Sequence, residues 1–130
     1  MSRLRVTFPD GTTIMASVAD TDAARARGLM FRDTLRDDEG MLFVFGDSRR
    51  HPFWMRNVLI ALDMIWVDDE GRIVWLVESA PPCVEEPCPI YTPQRPASSV
   101  IEVRAGFAKR HGIKAGDIVR FENTDGGAAL

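Results

Sequence analysis

The chain has 130 residues, of which 45% are hydrophobic and 27% charged, with a formal net charge of −3 at pH 7. That length favours one domain able to bury a sizeable core, and that composition excludes an intrinsically disordered chain. No run approaches the ~20 apolar residues of a membrane-spanning helix, and the acidic balance argues against nucleic acid as partner.

In chain order, residues 3–8 (Arg-Leu-Arg-Val-Thr-Phe) alternate with period two, as a half-buried strand does. Pro9-Asp10-Gly11 signals a turn, and residues 12–18 alternate again, so the two runs predict a hairpin. Asp20 or Thr21 can cap a helix rich in Ala23, Ala24 and Ala26, and Gly28 either ends it or lies within it. Residues 33–40 are polar and turn-rich, and residues 40–46 form an apolar run between glycines that predicts a buried strand. Residues 46–51 read as a polar loop, and Pro52-Phe53-Trp54-Met55 resumes an apolar segment. Residues 61–67 and 72–78 are strands joined by Asp68-Asp69-Glu70-Gly71, the clearest hairpin of the sequence.

Residues 79–96 carry most of the prolines and read as a crossing loop rather than a strand. Residues 99–103 form a strand and residues 105–111 a short helix, with Gly112 suited to its C-terminal end. Ala115-Gly116-Asp117 turns the chain into a last strand over 118–122. The expectation is an α+β fold of mainly antiparallel strands forming a small, closed or partly open barrel with two short helices. Residues 1–123 make a single compact domain and residues 124–130 a flexible, glycine-rich tail. Residues 1–6 are basic but no apolar run follows, so they are not read as a signal peptide.

Chemistry concentrates in His51-Pro52-Phe53-Trp54-Met55-Arg56-Asn57-Val58 and the following Leu62-Asp63-Met64. A charge or amide flanked by aromatic and aliphatic residues is costly to bury unpaired. In one reading Arg56 pairs with Asp63 or Glu102 and Asn57 bonds turn backbone. In the other they line a pocket with Trp54 as its apolar wall. Arg32, in Gly28-Leu29-Met30-Phe31-Arg32, can cap helix carbonyls or clamp an anion with its planar fork. The candidate ligand-binding residues are therefore Arg32, Trp54, Arg56 and Asn57, and the candidate catalytic carboxylates are Asp63 and Glu102.

Other chemistries are set aside. There is no phosphate-binding glycine loop, nucleophile elbow or His-Glu-x-x-His helix. No cofactor motif is found, and no cofactor is expected. Cys83 and Cys88 lie in a stiff, proline-flanked segment without compact zinc spacing, so no metal is expected. In an oxidising compartment they would form a disulfide; in the cytosol they would remain thiols.

Taken in order, Gly28 to Arg32, Gly-Met-Leu-Phe at 40–43, Phe-Trp-Met-Arg-Asn at 53–57, Leu62-Asp63, Val-Ile-Glu-Val with Ala-Gly at 100–106, and Gly116-Asp117 form a specific set. The set resembles the bacterial and archaeal family called domain of unknown function one-nine-two, from about residue 20 to 121. The resemblance implies a small mixed barrel-like domain with no established activity. It implies a periplasmic or envelope setting where an export signal has been removed, which would favour the Cys83–Cys88 disulfide, and a cytoplasmic setting otherwise. It also implies that Arg32, Trp54, Arg56, Asn57, Asp63 and Glu102 cluster. Two positions depart from the family pattern: Val58 stands where threonine is usual, and Ala61 where proline is usual.

Three functions fit these residues. The first is a small-ligand or peptide binding module in which arginine holds an anionic group. The second is a hydrolase-type enzyme with Asp63 or Glu102 as general base. The third is a nucleic-acid or protein interaction domain with a basic face from Arg49, Arg50, Lys109 and Arg110.

Overall fold

The computed structural model describes residues 2–124. Of the tail expected over 124–130, residues 125–130 lie outside the described residues. Strands β1 (Arg3–Thr7) and β2 (Thr13–Ala19) form the first hairpin, pairing Leu4 with Ala16 and Val6 with Ile14. Helix α1 (Asp22–Arg27) follows, its first turn capped by the Thr21 hydroxyl, which accepts from the Ala24 N–H at 3.1 Å. Gly28 ends the helix at φ 49°, and a Cβ there would stand 3.2 Å from the Phe43 ring. The helix is therefore held close to the strand that comes next.

That strand, β3 (Glu39–Arg49), runs on into the stretch expected as a polar loop at 46–51. Its register shifts between Val44 and Arg49, and pairing resumes at Arg49 with Ala97. A bulge lets a strand continue through a stretch that no longer alternates, which is why periodicity alone ended it early.

A two-stranded ribbon joins β4 (Phe53–Trp54) to β7 (Ile90–Tyr91), a short strand inside the proline-rich crossing. The hairpin of β5 (Leu62–Val67) and β6 (Ile73–Ala80) forms where expected. Next come β8 (Ala97–Arg104), α2 (Phe107–Arg110) and β9 (Arg120–Glu122).

Seven strands make one curled sheet in the order β6-β5-β8-β3-β2-β1-β9. Its ladders are antiparallel except β2–β3, which is parallel, so the sheet is mixed. Parallel neighbours need a crossover, and α1 lies in that connection. The two edge strands meet at one corner. Val119 N–H donates to the Gly71 carbonyl at 2.8 Å, and Ile73 N–H to the Asp117 carbonyl at 2.8 Å. The result is a half-barrel, sealed at one end of its seam.

Side-chain alternation gives the central strands two apolar faces. Leu42, Ile65, Ile101 and Val103 join Val6, Ile14 and Phe107 in one core. Met41, Phe43, Met64, Trp66 and Val100 face the other way, into a second core with Leu29, Met55 and Val58. Backbone hydrogen bonds strap the irregular segments over this second face. Phe31 N–H donates to the Asn57 carbonyl at 2.8 Å, and Asn57 N–H to the Cys83 carbonyl at 2.8 Å.

Candidate functional site

A cavity of about 250 Å³ lies on the second face, between the end of α1 and the sheet. Phe43, Phe45 and Phe53 wall it, with Trp54 at its edge. Phe53 meets Phe43 and Phe45 edge-on, with ring centroids 4.8 and 6.1 Å apart. Trp54 is 41% exposed, so this side of the cavity reaches solvent.

Glu102 is its distinctive member. It stands on β8 between Met41 of β3 and Met64 of β5, and is only 3% exposed. Burial among those side chains pushes its carboxyl up to about 8. Among the described residues, no hydrogen bond or ion pair reaches that carboxyl. Every side-chain polar atom sealed from solvent among the described residues has a partner, so an unpartnered acid must border open space. Glu102 lines the cavity.

Three arginines border the same space: Arg25 and Arg27 from α1, and Arg56 from the segment after β4. Two are engaged. Arg25 donates to the Val44 carbonyl and to Asp22, each at 2.7 Å, with its guanidinium 5.3 Å from the Phe45 ring centre. Arg56 pairs with Glu86 at 3.0 Å and lies 5.3 Å from the Trp54 ring centre. Arg27 has no polar partner among the described residues.

Of the residues singled out in the sequence, Trp54, Arg56 and Glu102 come together, and the others stand elsewhere. Arg56 pairs with neither Asp63 nor Glu102 but with Glu86. Asp63 points to the opposite face, because side chains on adjacent positions of a strand alternate. It is fully buried. One oxygen accepts from the Ser79 N–H at 2.8 Å and the Gly106 N–H at 3.3 Å, the other from the Ala108 N–H at 2.9 Å. It thus caps α2, whose own N-cap residue is Gly106 and supplies no side chain. A carboxyl group spent on three backbone amides and closed from solvent is out of reach of a substrate.

Asn57 acts through its backbone, at φ 59°, in the turn that straps the second face. Arg32 makes a long contact with Glu39 at 4.0 Å and does not line the cavity. Cys83 and Cys88 are bonded to each other.

Sequence reasoning passed over Arg25, Arg27, Phe43 and Phe45. Their signal was present but needed the register. Met41 pairs with Glu102, and Phe43 and Phe45 share its face of β3.

The model of the family DUF192, described as Uncharacterized ACR, matches residues 5–121 of the chain. The chain belongs to this family. The DUF192 protein is also similar to two solved structures. One, from Sinorhizobium meliloti 1021, is described as a candidate transcription regulator. It is 34% identical, with 92% of each chain covered and a TM-score of 0.82. The other, from Novosphingobium aromaticivorans DSM 12444, is described as a protein of unknown function. It is 37% identical, with 90% of this chain and 82% of that one covered and a TM-score of 0.81. No curated protein matches this DUF192 chain.

Proposed function

We propose that this DUF192 protein is a small-ligand binding module whose site is the cavity between α1 and the sheet. The observation that carries the reading is the Glu102 carboxyl, buried and unpartnered at the wall of that cavity. A buried acid without a hydrogen bond costs stability, and a ligand that satisfies it recovers that cost on binding. Aromatic walls supply apolar contact, and a few polar groups fix orientation, as small-molecule sites require. The volume lies below the roughly 300–1,000 Å³ of sites for drug-sized molecules, which favours a compact ligand over a peptide.

A thermal-shift screen with small sugars, carboxylates, amines and cell-wall fragments tests this. A ligand should raise the melting temperature of the native protein. Ala26→Phe, which places a ring over the cavity from the exposed side of α1, should abolish that rise. Silence across all four classes, or a rise that survives Ala26→Phe, would remove the reading.

A second reading is hydrolase-type chemistry at the same cavity, favoured by the same acid. Groups whose titration is moved toward neutrality suit proton transfer. Held up to about 8, Glu102 is protonated at pH 7 and would donate a proton rather than accept one. Turnover of ester or glycoside substrates that Glu102→Gln eliminates would favour this reading. Nucleic acid is the less favoured partner, whatever the description of the S. meliloti relative. The net charge is −3, and Arg104 and Arg110 both face Asp37, at 3.6 and 3.1 Å. Among the described residues, no helix is long and apolar enough to cross a membrane.

A further inference from the structure

We propose that the cavity takes a small carboxylate with an apolar or aromatic body, its carboxylate accepting a hydrogen bond from Glu102 within the field of Arg27. The inference rests on the binding-module reading and adds the class of ligand.

The charges around the cavity select that class. The ionisable side chains on its wall are Arg25, Arg27, Arg56 and Glu102. Arg25 is answered by Asp22 at 2.7 Å and Arg56 by Glu86 at 3.0 Å. Arg27 is answered by nothing among the described residues, so the wall is left with an excess of positive charge. The strands flanking Glu102 add no opposing group, since Met41 and Met64 stand beside it. Asp63 lies behind the sheet, and Glu39, farther along β3, contacts Arg32.

A cationic ligand would therefore meet guanidinium charge at the rim. Two aromatic faces that could receive it, Phe45 and Trp54, already lie beneath Arg25 and Arg56. A carboxylate meets the opposite situation. It finds an uncompensated cation outside and, at neutral pH, a protonated acid inside. A neutral carboxyl in an apolar site is a hydrogen-bond donor, and a carboxylate offers only acceptors, so the two are complementary. Phe43, Phe53 and Met30 provide the apolar surface against which the ligand body rests.

The proton gives the proposal its test. The ligand needs Glu102 protonated, so its affinity should fall as pH rises through about 8. Isothermal titration of the full chain with phenylacetate, phenylacetamide and phenethylamine at pH 7 and pH 9 separates the classes. Phenylacetate should bind best at pH 7 and about tenfold more weakly at pH 9. Glu102→Gln, whose amide keeps a donor at any pH, should lose this dependence and bind phenylacetate more tightly than the native protein at pH 9. Arg27→Gln should weaken phenylacetate roughly three- to tenfold at both pH values.

Tighter binding of phenethylamine, strengthening with pH, would overturn the carboxylate assignment and leave the binding site standing. So would phenylacetate affinity that ignores pH in the native protein. Absence of binding by all three probes would overturn this inference, and the thermal-shift screen would then decide the broader reading on its own.

Discussion

Asp63 and Glu102 show how differently two buried acids can be used. Asp63 answers three backbone amides, so its removal strands them. Asp63→Ala should cost roughly 3 kcal/mol or more, and Asp63→Asn less, because one carbonyl oxygen still accepts. Urea denaturation of the two variants checks the order. Glu102 has the opposite profile. The folded protein keeps its proton to about pH 8, whereas the ordinary value for a free glutamate is 4.5. Between those values the folded state binds more protons than the unfolded chain, so stability falls as pH rises through that window and levels off above it. Glu102→Gln should flatten that slope and stabilise the protein at pH 9 by on the order of a few kcal/mol. Urea midpoints of both proteins at pH 5, 7 and 9 would show it, and parallel slopes would contradict it.

At the scale of elements, the cavity exists because α1 and three irregular segments are tied against the second face of β3, β8 and β5. Gly40 is central to that pairing. A Cβ there would come within 2.7 Å of the Glu102 carbonyl oxygen and 2.9 Å of Ile14. Neither strand backbone nor core side chain can give that much room cheaply, so Gly40→Ala should destabilise by about 1–3 kcal/mol. The loss is expected as a lowered urea midpoint accompanied by weaker ligand binding, since β8 carries Glu102. The Cys83–Cys88 bond pins the strap through the Asn57 N–H and the Cys83 carbonyl. Its loop is short, and the chain-entropy estimate gives about 2 kcal/mol. Cys83→Ser with Cys88→Ser should lower the melting temperature while leaving the far-ultraviolet circular dichroism of the sheet in place.

Elements were legible in the sequence where local pattern decides them. The two hairpins follow from alternation and turn chemistry, whereas the choice of Thr21 over Asp20 as cap, and of Gly28 as the helix end, is made by the fold. Strand β7, two residues among prolines, was not legible, because β4 alone makes it a strand. The continuation of β3 to Arg49 was hidden by its shifted register. The site was half legible for the same reason. Trp54, Arg56 and Glu102 stand out as polar or aromatic residues in apolar settings. Asp63 stood out equally, and only the alternation along β5 sends it to the other face. Arg27 carried no signal of its own in the sequence, and only the fold sets it at the rim of a cavity.

Over the whole molecule, the curled sheet is closed at one corner by Gly71, Ile73, Asp117 and Val119 rather than by a continuous ladder. Gly71 stands at φ 81°, and a Cβ there would lie 2.8 Å from the Val119 carbonyl oxygen. Gly71→Val should open this seam, seen as faster amide exchange at Ile73 and Val119 with little change at Ile101 in the centre of the sheet. The arrangement separates two tasks. The first core and the seam hold the fold, and the second core carries the cavity, so the proposed binding and the barrel closure should be separable by substitution.

The most direct single measurement is a carbon-13 NMR titration of the Glu102 side-chain carboxyl, assigned by its loss in Glu102→Gln. Burial of the carboxyl predicts a midpoint near 8, and the proposed ligand predicts that phenylacetate moves it higher. A midpoint near the ordinary 4.5, unmoved by any of the probes, would mean that the acid is solvated or paired and that the cavity has no buried group to offer a ligand.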